Sequence, residues 1–233
     1  MGQSPWQVPE IGLGCVFLGD PFGPTDDTGM QDTLAAAWNE GIRYFDTAPW
    51  YGNTKSEHRL GYFLRQRPRD AFTIATKVGR TYGRPTDLHA FKRSKWMERW
   101  QGGLEFDLTF DYTGDGVKRS YEDSLNRMGL NTVDALAIHD LDLKHHRDWE
   151  TATKYLDQLS NEGGYRALRD LKDTGEIQAI GVGVNHIGMI PAFLERFEVD
   201  YFLVAMPYTL LDQPALDEEF GMCADVGVNV VIG

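Results

Sequence analysis

Four side chains able to carry or steer a proton stand at or just past the ends of short apolar runs. Asp46 follows Tyr44 and Phe45, Tyr51 lies five residues on, Lys77 ends the run 72–76, and His139 ends the run 133–138. A phenol with a reference pKa of about 10 needs help to give or take a proton at neutral pH. An ammonium from Lys77 beside Tyr51 would lower that pKa, and Asp46 paired with the ammonium would hold it in position. His139 within hydrogen-bond reach would orient and polarise a substrate oxygen. Together they suit reversible carbonyl–alcohol chemistry with an external hydride carrier. Singly, each has a plainer reading: an Asp after a strand caps or turns, a lone Lys is solvated, and a His bonds backbone. Four at successive strand ends form the stronger pattern.

Groups so far apart in sequence meet only if the fold gathers strand ends. Seven apolar runs occur, at 11–18, 42–45, 72–76, 133–138, 177–184, 201–205 and 228–232. They are short, rich in β-branched and aromatic residues, and lack polar alternation, as parallel strands buried on both faces do. Amphipathic stretches separate them. Met30, Leu34, Ala37 and Trp38 make one helical stripe, started near Thr25 and Asp26 and stopped at Gly41. Val117, Tyr121, Leu125 and Met128 make another, with Asp115 as the expected N-cap and Gly129 past its end. A third, through Leu156, Leu159, Leu168 and Leu171, is broken at Gly163 and Gly164 and ends at Gly175. Weaker helical patterns cover 189–197 and 213–226.

Repeated strand–helix order predicts an α/β fold with a parallel sheet, and seven strands favour a (β/α)8 TIM-type barrel over a smaller open sheet. The C-terminal ends of barrel strands converge on one mouth. The whole of 1–233 reads as one barrel domain, with 79–114 as a long βα-loop insertion and candidate substrate lid.

Composition narrows the partners. The 233 residues are 42% hydrophobic and 25% charged, with a formal net charge of −12. Such a chain can bury a substantial core, and its acidity argues against nucleic acid or an anionic membrane. Cys15 and Cys223 are too few for a disulfide framework, and Cys15 reads as a small core residue. No apolar run approaches the ~20 residues of a membrane span, and the first ten residues do not resemble a signal peptide. A soluble cytoplasmic protein acting on a small molecule is the expectation; oligomeric state stays open. No Gly-x-Gly-x-x-Gly opens a helix, which argues against a Rossmann domain. His145, His146 and Asp148 lie together in a polar loop, but no ligand spacing supports a metal site, and none is expected. Trp96 and Trp100, four apart in the insertion, would either line a sugar-stacking wall or anchor the loop.

The stretch Phe45-Asp46-Thr47-Ala48-Pro49-Trp50-Tyr51-Gly52, running on to Ser56-Glu57, resembles the signature of the aldo-keto reductase family. Ala75-Thr76-Lys77 and Ala137-Ile138-His139 match its next two catalytic segments in order and spacing. Gly12-Leu13-Gly14 and Gly181-Val182-Gly183-Val184-Asn185 match two more, so the likeness spans nearly the whole chain. It implies a (β/α)8 barrel and NAD(P)-dependent oxidoreduction, with NAD favoured over NADP. It also implies Asp46, Tyr51, Lys77 and His139 as the catalytic tetrad and Asn185 on the nicotinamide amide. Asp46 and Tyr208 would lie beside the cofactor, and Trp50 and His139 beside the substrate. Val184 stands where many members carry Ser, and no Gln lies between Gln178 and Gln213, where a nicotinamide-binding Gln is common.

A narrower likeness is carried by 110–124, His139-Asp140-Leu141-Asp142 and 208–213. These resemble the aldose 1-dehydrogenase branch, with its L-fucose (D-threo-aldose) and pyridoxal 4-dehydrogenases, which oxidise cyclic hemiacetals to lactones. Oxidation of an L-fucose-like aldose at C1 is the first expectation; pyridoxal oxidation and general aldehyde or ketone reduction are alternatives. A cofactor-binding regulatory protein of little turnover, and a Lys77 Schiff-base aldolase, are alternatives of other classes. Length adds one more expectation. A full (β/α)8 barrel takes ~250 residues, and the last run, 228–232, has no helix after it. The barrel is therefore expected to stop after strand seven, leaving an open sheet edge.

Overall fold

The computed structural model describes residues 6–233; residues 1–5, half of the stretch read for a leader, lie outside the described residues. Nine strands are found among them: β1 (Leu13–Gly14), β2 (Tyr44–Asp46), β3 (Thr73–Val78), β4 (Arg80–Gly83), β5 (Asp107–Phe110), β6 (Ala135–His139), β7 (Ala179–Val184), β8 (Tyr201–Val204) and β9 (Asn229–Ile232). Seven of these make one curled parallel sheet in the order β1-β2-β3-β6-β7-β8-β9, with β1 and β9 at its edges. Helical connections cover the outer face, which is the α/β arrangement the alternating pattern predicts. No helix among the described residues is long and apolar enough to cross a membrane.

Strand periodicity decides which side chains face inward. Phe45, Ile74, Val78, Leu136, Ile138, Val182 and Phe202 join one buried cluster with helix residues such as Leu60, Phe63, Val117 and Leu168. The alternate positions Tyr44, Ala75, Ala135, Ala137, Ala179 and Tyr201 form a second cluster with Trp6 inside the curl. Asp46, Lys77 and His139 continue that inner row. Register then places them beside one another. Asp46 pairs with Ala75, two residues before Lys77; Lys77 pairs with Ala137, two residues before His139. Each strand is displaced by one inward-facing position against the last, so the three side chains step around the same rim.

Three local expectations change. The apolar run 11–18 is a strand only over Leu13–Gly14, because the chain then enters a 3₁₀ turn at Val16–Gly19. Thr113, not Asp115, caps the helix Gly114–Met128, its hydroxyl accepting from Gly116 N at 3.0 Å. Asp115 falls in the first turn, where a negative charge is also favourable. The stretch 79–114 carries its own structure: β4 and β5 pair antiparallel, with two short helices, Leu88–Phe91 and Lys95–Arg99, between them. The break at Gly163 is as the glycines suggest. It takes a φ of 84° between the helices Trp149–Asn161 and Gly164–Asp173.

Candidate active site

Tyr51 sits on the turn joining β2 to the helix Lys55–Leu64, and that turn is held from several sides. Gly52 has a φ of 68°, and a Cβ there would stand 2.5 Å from the Gly19 carbonyl oxygen. A Cβ on Gly19 would in turn meet Gly52 N at 2.4 Å. Two glycines are thus needed where these backbones cross. Asn53 and Thr54 follow at φ of 49° and 85°, a rare conformation for a β-branched residue. Side-chain bonds hold the turn there: Ser56 Oγ donates to Cys15 O at 2.8 Å, and Asn53 Nδ2 donates to Leu104 O at 3.1 Å. Asp20, buried, receives Arg59 at 2.6 Å and Lys55 at 2.7 Å, tying the turn at 16–19 to the same helix. Such strain, held in place by its surroundings, is a mark of functional loops.

This places three groups in one hydrogen-bonded chain. Lys77 Nζ donates to Asp46 Oδ1 at 2.5 Å, to Thr47 O at 2.8 Å and to Tyr51 Oη at 3.1 Å. All three ammonium hydrogens therefore have acceptors, as burial demands. Asp46 and Tyr51 both hold Lys77 as an ammonium against the desolvation that opposes its charge. Burial pushes Asp46 above the usual carboxylate range, and Lys77 pulls it back. The Tyr51 phenol is pushed up to about 12. Burial is the main cause, with Asp46 and Asp140 adding to it and Lys77 opposing. The downward pull expected of Lys77 is present, but it is outweighed. Tyr51 is consequently a protonated donor through the neutral range.

His139 is held differently. Arg80, buried at the start of β4, approaches its Nδ1 to 3.0 Å with Nη1 and donates from Nη2 to Asp140 Oδ2 at 3.1 Å. Asp140 Oδ2 also lies 3.2 Å from His139 Nε2. Burial pushes the imidazole pKa well down; Asp140 opposes this, and Arg80, Lys77 and His145 reinforce it. His139 is thus a neutral ring 5.8 Å from that of Tyr51, centroid to centroid. Behind it, Asn185 Nδ2 donates to Asp140 Oδ1 at 2.8 Å and to Asp142 Oδ2 at 2.7 Å. With its amide nitrogen bound to two carboxylates, Asn185 presents Oδ1 as an acceptor.

A cavity of about 1070 Å³ is bordered by Asp46, Trp50, Tyr51, His139 and Asn185, and by residues of both edge strands. Trp50 stands against Trp100 at 5.3 Å and His145 at 5.0 Å between ring centroids. Trp100 is fully buried and packs on the Tyr51 ring at 6.1 Å, so it anchors its segment rather than presenting a face to the cavity. The Trp96 side chain lies outside the described residues. Tyr208 packs on Phe220 at 5.3 Å, while its neighbours Met206 and Thr209 border the cavity. His145, His146 and Asp148 diverge: His145 turns to Asp142, His146 is buried against Tyr112 and Tyr155, and Asp148 caps the helix Trp149–Asn161. Sequence reasoning missed Arg80. A lone Arg in a stretch read as loop gives no sign of burial. Asp140 and Asp142 carried a visible signal, standing directly after His139.

Comparison with known proteins agrees with this geometry. A family model described as the aldo/keto reductase family matches residues 10–232. A pyridoxal 4-dehydrogenase from Microbacterium luteolum is 38% identical over 237 residues, covering all of this chain and 68% of that protein. A D-threo-aldose 1-dehydrogenase from a Pseudomonas species is 34% identical over 234 residues, covering 96% of this chain and 64% of that protein. The chain thus spans about two thirds of the length of these curated relatives. In fold, the holo form of an aldo-keto reductase from Bacillus halodurans superposes with a TM-score of 0.70 at 24% identity, covering 100% of this chain and 64% of that one. With seven parallel strands, a shared inner rim and this match along almost its full length, the chain belongs to the aldo/keto reductase family.

Proposed function

We propose that this chain carries the site of an NAD(P)-dependent oxidoreductase that oxidises a cyclic hemiacetal, an L-fucose-like aldose, at C1 to its lactone. The observation that carries the reading is the hydrogen-bonded chain Asp46–Lys77–Tyr51 beside a neutral His139 at one cavity. Tyr51 takes the proton of the anomeric hydroxyl in oxidation and returns it in reduction. Lys77 holds the phenolate that forms, and Asp46 holds Lys77. His139 donates an N–H to the same oxygen and fixes its place.

Two observations support a nicotinamide cofactor, NAD or NADP, in this cavity. Asn185 Oδ1 can accept from a carboxamide, since its nitrogen is already bound. Asp46 Oδ2 is buried without a hydrogen-bond partner among the described residues, an acceptor that a ribose hydroxyl would satisfy. When bound, the cofactor would take the hydride that leaves C1. The 38% identity to a pyridoxal 4-dehydrogenase supports a second reading, in which the hemiacetal is that of an aromatic aldehyde.

The curl of the sheet and a cavity bordered by both β1 and β9 support a barrel of the (β/α)8 type as the working architecture. Residues 79–114 would wall its substrate side. The free, buried thiols of Cys15 and Cys223 suit a reducing compartment, and the proposal places the protein in the cytoplasm.

The pH profile tests the roles. With the phenol near 12, reduction needs the form already populated at neutral pH, and its rate should stay flat from pH 6 to 9. Oxidation needs the minor phenolate, and its rate should climb toward tenfold per pH unit across that range. A bell centred near neutrality in both directions would remove Tyr51 as the proton carrier.

A further inference from the structure

We propose that Arg80 is a positioning residue: by occupying Nδ1 of His139 it fixes the ring's proton on Nε2. This rests on the reaction proposed above. Arg80 belongs to the small β4–β5 sheet, outside the main sheet, where it pairs with Phe110. Ser120 Oγ donates to its carbonyl at 3.1 Å. The guanidinium lies 4.5 Å from the centre of the Trp50 ring and 5.1 Å from that of Phe110, so its plane is held from two directions. From there Nη1 reaches His139 Nδ1 at 3.0 Å, and Nη2 reaches Asp140 Oδ2 at 3.1 Å.

Arginine has five donors, no acceptor and no accessible neutral form. A ring nitrogen 3.0 Å from it must accept, so Nδ1 is bare and the proton resides on Nε2. Asp140, facing Nε2, favours the same tautomer, and Arg80 secures it from the opposite side of the ring. Asp140 Oδ2 lies 3.2 Å from Nε2, and His145 Nε2 lies 3.6 Å from the same carboxylate oxygen. Lys77 and Tyr51 flank the ring from β3 and the turn after β2. Without Arg80, Nδ1 is free to bind a second proton and Asp140 loses a partner that restrains its pull toward an imidazolium, leaving burial, Lys77 and His145 to oppose it. Arg80 both occupies Nδ1 and neutralises Asp140. With Nδ1 accepting from Arg80, the neutral ring carries its one N–H on Nε2, beside Asp140 Oδ2. The β4–β5 sheet thereby becomes part of the chemistry and more than a cover.

The test is imidazole ¹⁵N NMR on the full chain between pH 5 and 9, with His139 assigned by its loss in His139→Asn. The unsubstituted protein should show a bare Nδ1 and a protonated Nε2 that do not change across the range. Arg80→Met should make His139 titrate within it, and should give kcat an acid limb with about a 10²-fold loss at pH 6. Arg80→Gln keeps an N–H donor for Nδ1 without the charge, and should retain the tautomer while letting the ring titrate. A protonated Nδ1 in the unsubstituted protein, or a His139 signal unmoved in Arg80→Met, would overturn the proposal. If Arg80→Met does not fold, the tautomer of the unsubstituted protein decides alone. Absence of turnover on any aldose or aldehyde would overturn the proposed reaction instead, and the NMR signal would still judge Arg80.

Discussion

Tyr51→Phe is expected to lower turnover about 10²–10⁴-fold, the share that a positioned acid–base group carries. Cofactor affinity should stay unchanged, because the substitution removes one oxygen and leaves Lys77 bonded to Asp46 and Thr47. The fold should be undisturbed, since Phe fills the same volume against Trp100 and the strained turn at 52–54 is held by other residues. Steady-state rates with an aldose and NAD⁺, alongside quenching of tryptophan fluorescence by the reduced cofactor, separate the two effects. Retained activity would take the proton-carrying role away from Tyr51. A matched loss of cofactor binding would make it a structural residue.

Lys77→Met should be the most damaging single change to the fold of the site. Lys77 is 1% exposed, and its removal strands the Asp46 carboxylate among Tyr44, Cys15 and Tyr51. Breaking a buried pair from one side costs about 3–5 kcal/mol, most of it the uncompensated charge. That charge can be discharged by a proton. Burial already pushes Asp46 up, and losing Lys77 removes what opposes it. A carboxyl protonated in the fold but ionised when unfolded loses its stabilising contribution as pH rises. The variant should therefore weaken progressively from about pH 4 upward. The double variant Asp46→Asn, Lys77→Met carries no buried charge and should unfold at higher denaturant than Lys77→Met alone, while remaining inactive. Urea titrations at pH 5 and pH 8 read this directly. If the double variant proved no more stable than the single one, the buried pair would not be what the site's stability rests on.

Much of the site was legible because strand ends are legible. Asp46, Lys77 and His139 each close an apolar run, and a period of two puts them on the inner face once the neighbouring helices claim Phe45, Ile74 and Ile138. The one-step displacement between strands, seen as Asp46 against Ala75 and Lys77 against Ala137, needed the pairing itself. Burial was the main quantity a sequence could not supply. Residue type correctly suggests that an ammonium lowers the Tyr51 pKa, but the desolvation that outweighs it depends on what the fold packs around the ring, Trp100 among it. The same blindness hid Arg80. Its strand is four residues long, too short for alternation to show, and pairs with residues 24 to 30 positions away. At the other end of that segment, Thr113 and Asp115 are both sound N-cap types. The bond from Gly116 N to Thr113 Oγ1, at 3.0 Å, singles out the first.

Hydride transfer from C1 of a cyclic hemiacetal, with Tyr51 taking the proton, is the claim on which the rest depends. It is tested most directly by incubating the full chain with C1-deuterated L-fucose and NAD⁺ and following the label by NMR. The expected result is deuterium on the reduced nicotinamide in equal amount to the lactone formed, with both slowed together by about 10²–10⁴-fold in Tyr51→Phe. Lactone without deuterium on the cofactor, or a substrate trapped on Lys77 by borohydride, would contradict it.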